Sequence, residues 1–277
     1  MKLKNYNVKE NELHPFHLVT PSPWPLTISL AASSFVWGLV KWMHSLDYAM
    51  LFLHVGIFGL TLSLYGWFRD IIIEATWEGQ HTRKVQRGLR IGMVLFIVSE
   101  AMFFFSFFFA FYHASLTPTM GIGYVWPPKG IQTLDPFELP LLNTIILLSS
   151  GASLTWAHRS MVAKNRRGAA EGLSMTIFLG IIFTCLQAIE YNEATFSITD
   201  GIYGSIFYIT TGFHGIHVII GTIFLTVQAC RIMSGHFGLG PEFGKRPYLG
   251  FETAAWYWHF VDVVWLFLYI CIYCLGS

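Results

Sequence analysis

Charged side chains are scarce in this chain. They make up 12% of its 277 residues, while hydrophobic residues reach 54%; an ordinary soluble domain carries about 25% charged residues. That shortage argues against a soluble globular protein. The net charge of +1 offers no strongly basic surface, so no nucleic-acid partner is expected. Only four cysteines occur, Cys185, Cys230, Cys271 and Cys274, and all fall in apolar segments, so no extracellular disulfide framework is expected. Cys271 and Cys274 form a CxxC near the end of an apolar helix and read as small buried hydrophobes rather than redox or metal ligands. GxGxxG, Walker and HExxH patterns are absent. No span carries a core lysine, which a retinal Schiff base would need. The first 24 residues are polar, contain Pro15, Pro21, Pro23 and two glutamates, and match neither a signal peptide nor an acid-poor transit peptide. Insertion from the compartment that made the chain is expected, and an organelle-encoded product fits.

What the chain has in abundance is long apolar runs. A spanning helix needs roughly 20 mostly apolar residues, and seven segments meet that need, near 26–44, 48–68, 91–115, 139–162, 171–192, 203–233 and 251–275. Helices are expected because hydrocarbon offers no partner for backbone N–H and C=O groups, and the alternating pattern of a membrane barrel is missing. The fold class is therefore all-α, a polytopic membrane protein with seven transmembrane helices. With this topology, Lys2, Lys4, Lys9, Arg69, Arg83, Lys84, Arg87, Arg90, Arg159, Lys164, Arg166, Arg167, Arg231, Lys245 and Arg246 share the face of the N-terminus. That is 15 of the 17 basic residues; only Lys41 and Lys129 lie opposite. Positive residues resist translocation, so the N-terminus is expected on the insertion side and Ser277 on the far side.

The organisation expected is an N-terminal segment 1–25, a two-helix unit 26–68, a polar link 69–90 and a five-helix bundle 91–277. The loop 116–140 is rich in proline and glycine and reads as an ordered, non-helical surface segment, with Tyr124 and Trp126 at the bilayer interface. Span six, at 31 residues, must tilt or project beyond the hydrocarbon. No internal repeat is evident, and an odd number of spans argues against a simple inverted-repeat transporter.

Polar residues inside spans are expensive and mark function or interhelical bonding. Glu100 lies in the middle of IGMVLFIVSEAMFFFSFFFAFYH. It is expected to be a proton-linked or lipid-contacting carboxyl, or a neutral acid hydrogen-bonded to a neighbouring helix. His214 and His217, three apart, share a helix face. They read as histidines bonded between helices in preference to a metal or haem site, which would need further ligands. His259 and Asp262 could relay protons but read chiefly as a pair satisfied within the bundle.

Several long stretches carry a resemblance. HLVTPSPWPL at 17–26, RD at 69–70, LFIVSEAMFFF at 95–105, FYHASLTPT, WPPKGI, PLLNTIILLSSGASLTWAH, TGFHGIHVIIGT and FETAAWYWHFVDVVWLFLYI occur in the order and spacing found in subunit III of cytochrome c oxidase. From about His17 to Ser277, the chain resembles that family. The resemblance implies two helices splayed from a five-helix bundle, with phospholipids in a V-shaped cleft. It implies a core subunit of the terminal respiratory oxidase, which oxidises cytochrome c, reduces dioxygen to water and pumps protons. Haem and copper would lie in partner subunits I and II, with no cofactor in this chain and with accessory subunits as further partners. The expected location is the mitochondrial inner membrane, with the N-terminus in the matrix and the C-terminus in the intermembrane space. The family's intramembrane glutamate falls on Glu100. Its phospholipid contacts fall on Trp67 or Phe68, Glu74, His81, Phe96, Phe109, His113 and Arg231. The chain departs from the family where paired tryptophans are usual (Trp67-Phe68 and Cys274-Leu275), where Phe109 replaces tryptophan, and in a longer 235–250 stretch without paired histidines. A related quinol oxidase subunit and a stand-alone proton-coupled carrier using Glu100, His214, His217 and Asp262 are the other readings.

Overall fold

The computed structural model describes residues 14–238, 243–244 and 248–276. Lys2, Lys4, Lys9, Lys245, Arg246 and Ser277, and parts of the segments 1–25 and 235–250, lie outside the described residues. Among the described residues there is no strand. Seven helices are long and apolar enough to span a membrane: α1 (Trp24–Met43), α2 (Ala49–Thr76), α3 (Arg83–Leu116), α4 (Leu139–Val162), α5 (Arg166–Glu193), α6 (Gly201–Met233) and α7 (Leu249–Leu268), the last continuing as a π-helical stretch, Tyr269–Cys274. The chain divides into two compact units, one up to Leu89 and one from Arg90 onward.

The expected polar link at 69–90 is for the most part helix. α2 continues to Thr76 and α3 begins at Arg83, leaving a connection of residues 77–82. Nucleating a helix is costly and extending it is not, so α2 runs on through Ile71–Ile73 to Thr76; in the connection Gly79 adopts φ +69°, which it can do without the steric cost of a Cβ. The Thr82 hydroxyl then accepts the Val85 N–H at 3.4 Å, opening α3. At 34 and 33 residues, α3 and α6 are each about 50 Å long, well beyond a hydrocarbon core of about 30 Å.

In the first unit, small residues set how closely α1 and α2 approach. A Cβ on Gly38 would come 2.6 Å from the Leu53 nitrogen, one on Gly56 would lie 2.5 Å from the Phe35 Cα, and one on Gly66 would collide with the Trp24 ring. Close backbone approach is the main source of helix attraction in lipid. Ser34 adds an interhelical bond to the Phe52 carbonyl, 3.0 Å, and the Trp24 indole N–H donates to Asp70 at 2.6 Å.

The second unit is built around two tryptophans of α7. Trp258 and Trp265 are fully buried, and each indole N–H finds an acceptor on α4: Ser150 Oγ for Trp258 and Thr144 Oγ1 for Trp265, both at 2.9 Å. Gly180 of α5 and Gly221 of α6 make room for the Trp258 ring. α4 and α5 approach at Gly172, and Ser153 bonds Thr176 at 2.8 Å. α3 joins this unit through Phe104 and Phe111, both buried, and through Arg90, whose guanidinium meets Glu252 at 2.8 Å. In the 117–138 loop, which contains one short 3₁₀ turn at Met120–Ile122, Tyr124 is exposed and Trp126 is half-buried. The Trp126 ring packs on Phe111 and Tyr203 at 5.6 and 5.4 Å. Cys271 is buried and receives the Tyr112 hydroxyl at 2.9 Å, whereas Cys274 is exposed, so only one cysteine of the CxxC is a buried small hydrophobe.

Candidate functional site

Glu100 and His217 come together. Glu100 projects from the middle of α3 and its Oε2 lies 2.9 Å from His217 Nε2 on α6. The side chains are 23% and 11% exposed, which is shielded enough for the bond to matter. His217 Nδ1 is 2.7 Å from the Phe213 carbonyl, which can only accept, so Nδ1 carries a proton. The Nε2···Oε2 contact then needs one further proton. It belongs either to a neutral carboxylic acid donating to imidazole or to an imidazolium donating to a carboxylate. In both forms the pair is satisfied and carries no net charge. Phe104 meets the His217 ring edge-on at 5.0 Å, and Tyr257 stacks at 6.2 Å.

His214 does not join this pair. It is fully buried, and its Nε2 donates to the Val261 carbonyl of α7 at 3.2 Å. The two histidines of the HGIH motif thus turn to different helices. His259 Nδ1 lies 3.5 Å from Asp262 Oδ2, too long for a strong hydrogen bond. Asp262 is buried, and its carboxylate occupies the space left by Gly151 of α4, where a Cβ would stand 2.6 Å from Oδ2.

The residues expected to touch phospholipid fall into two sets. In the first unit, Trp67, Glu74 and His81 line one cleft together with His17 and Asp70, while Phe68 is exposed. In the second unit, Phe96 is exposed and stacks on Tyr257 at 6.3 Å, Phe109 is exposed with the His113 ring 6.3 Å away, and Arg231 is half-buried. The Arg231 guanidinium lies over the Phe237 ring at 4.7 Å, and its Nη1 donates to Gln228 Oε1 at 3.2 Å.

One cluster escaped the sequence reading. Glu190 of α5 is 1% exposed and accepts from the Tyr273 hydroxyl at 2.5 Å and from Gln187 Nε2 at 3.4 Å. Close by, the Tyr191 hydroxyl donates to Thr211, whose own hydroxyl donates to the Phe207 carbonyl. The signal was the Gln187–Glu190 spacing of three, which places both on one helix face. It was masked because Glu190 falls near the end of the expected span, where an acid would ordinarily be solvated.

Long apolar helices, close glycine contacts and buried polar pairs between helices define a seven-span helical membrane protein. The comparison with known proteins narrows that class. The sequence profile of the family "Cytochrome c oxidase subunit III" matches residues 14–277. Similar proteins include "Cytochrome c oxidase subunit 3" of Prototheca wickerhamii, 58% identical over 264 residues covering 95% of this chain and 98% of the relative. The proteins of the same name from Sus scrofa and Scyliorhinus canicula are 55% and 54% identical over 267 residues, covering 96% of this chain and 99% of each relative. The chain belongs to the cytochrome c oxidase subunit III family.

Proposed function

We propose that the chain is the third core subunit of a mitochondrial cytochrome c oxidase, a scaffold that supports the subunits in which electrons move. Near full-length identity above half to proteins of that name carries this reading. The complex oxidises cytochrome c, reduces dioxygen to water and pumps protons, and this chain is one of its membrane-embedded parts. Its partners are subunits I and II and the accessory subunits, and the haem and copper belong to those partners. The polar groups of the spans support the reading by their use: His214 bonds a backbone carbonyl and His217 bonds Glu100, so neither is committed to a shared ligand set with the other.

The N-terminus lies in the matrix and the C-terminus in the intermembrane space, the orientation that the 15 to 2 division of Lys and Arg supports. Phospholipids bind at Trp67, Phe68, Glu74, His81, Phe96, Phe109, His113 and Arg231. The guanidinium of Arg231, at the end of α6, can fork onto a phosphate at headgroup depth. Glu100 and His217 support proton uptake by holding one exchangeable proton between two helices. The test is native electrophoresis of solubilised membranes: this chain should migrate with the haem absorbance and cytochrome c-oxidising activity. Its absence from every haem-copper fraction would overturn the proposal.

A further inference from the structure

We propose that Asn143, Gln187 and Glu190 form a binding site for internal water, sealed within the second unit, with Glu190 as a neutral acid that donates to it. The three side chains belong to residues 0%, 6% and 1% exposed. Four of their polar atoms have no hydrogen-bond partner among the described residues: Asn143 Nδ2 and Oδ1, Gln187 Oε1 and Glu190 Oε2. Buried polar atoms are nearly always bonded, so exceptions gathered in one place point to a small polar ligand.

Helix geometry brings the three residues to one level. Gly168 lies against Ser160, Gly172 against Ala157, and Thr176 bonds Ser153, so α5 runs antiparallel to α4. Asn143 is ten residues before Ser153, and Gln187 is eleven residues after Thr176. At 1.5 Å a residue, both displacements are about 15–16 Å in the same direction. Asn143 is also seven residues, or two turns, from Ser150, whose carbonyl lies 3.5 Å from Thr176 Oγ1. Eleven residues are three turns, so Gln187 keeps the face of Thr176. Gln187 Nε2 donates to Glu190 Oε1 at 3.4 Å, and the Tyr273 hydroxyl donates to the same oxygen. The rings of Phe207 and Trp265, both buried, stand 5.5 and 5.8 Å from the Tyr273 ring and wall this level of the bundle. Tyr273 is carried by a π-helical stretch, a form found mostly at functional sites.

The pattern of donors and acceptors selects the ligand. Glu190 makes no ion pair among the described residues. As a carboxylate it would be a buried charge without a partner, which is costly. As a neutral acid it keeps Oε1 as the oxygen that accepts two donors, and Oε2 becomes the hydroxyl. The unpaired set then holds two donors, Asn143 Nδ2–H and Glu190 Oε2–H, and two acceptors, Asn143 Oδ1 and Gln187 Oε1. Water accepts twice and donates twice, so one molecule matches the set, and buried water commonly makes 2–4 such bonds. A metal cation would satisfy the oxygens but would face the positive hydrogens of the Asn143 amide. Water here ties α4 to α5 and, through Glu190 and Tyr273, to the end of α7.

The experiment uses the purified membrane complex that contains this chain, whatever its partners. Density that shows ordered water should place a peak about 2.7–3.2 Å from Asn143, Gln187 and Glu190 together. The infrared difference between the unsubstituted and Glu190→Gln complexes should contain the carbonyl band of a protonated acid. That band should move when water is exchanged for D₂O, and should move again in the Asn143→Leu complex, whose side chain excludes the water. A site without a peak would overturn the proposal, as would carboxylate bands in place of the acid band. So would an acid band that Asn143→Leu leaves unmoved, or a peak at the 2.3–2.6 Å of calcium-like oxygen coordination. If either variant fails to assemble, the density of the unsubstituted complex decides: a peak at hydrogen-bond distance supports the site and its absence refutes it. Copurification with haem and copper is scored separately, so failure of the water site leaves the subunit assignment standing.

Discussion

Replacing Glu100 with leucine should loosen α3 from α6, and replacing it with glutamine should not. In the Glu100→Leu chain, His217 Nε2 faces an apolar side chain in a position where the ring is 11% exposed, while Nδ1 stays fixed on the Phe213 carbonyl. Interhelical hydrogen bonds in lipid are worth about 0.6 kcal/mol and at most about 1.7. A stranded buried acceptor adds to the loss, so about 1–2 kcal/mol is expected. Glutamine keeps a donor within reach of Nε2, and the loss should stay within about 0.5 kcal/mol. The assay is resistance of this subunit to stripping from the purified oxidase across a detergent series, read as the fraction retained. A difference of 1.4 kcal/mol would shift the retention equilibrium about tenfold. A double-mutant cycle with His217→Leu isolates the pair, and its coupling energy should reach at least about 0.5 kcal/mol. Haem spectra should be unchanged in every variant that assembles. Additive effects in the cycle, or equal retention of the leucine and glutamine variants, would refute the pairing.

Other substitutions test other contacts. Gly56→Leu places a side chain against the Phe35 backbone, which cannot yield; overpacking of this kind costs about 1–3 kcal/mol, and retention of the subunit should drop accordingly. Trp258→Phe keeps most of the ring and loses the bond to Ser150, so it should cost about 0.6 kcal/mol, against about 3–5 kcal/mol for Trp258→Ala, which opens a cavity. Thermal denaturation of the complex measures both. Arg231→Gln should reduce the phosphorus retained per complex after delipidating washes, because it removes the charge that would hold a phosphate.

How much of this was legible in the sequence differs from element to element. α4 has the bounds expected of it, 139–162, because Pro140 opens it and polar residues follow it closely. The C-terminal end of α2 and the start of α3 were not legible, because hydropathy marks where hydrocarbon stops and not where hydrogen bonding stops. Glu100 stood out as an acid amid phenylalanines, yet its partner could not be chosen from sequence. His214 and His217 lie on one face, and only the packing of α3 against α6 and of α7 against α6 separates their bonds. The Glu190 cluster needed the π-helical end of α7 to bring Tyr273 to it.

The scaffold assignment is tested most directly by metal analysis after separation. The purified oxidase is treated with detergent until this chain dissociates, and iron and copper are measured in both fractions. All the iron and copper should remain with the other subunits, together with haem absorbance and residual oxidation of cytochrome c. Stoichiometric iron or copper bound to the separated chain would contradict the account.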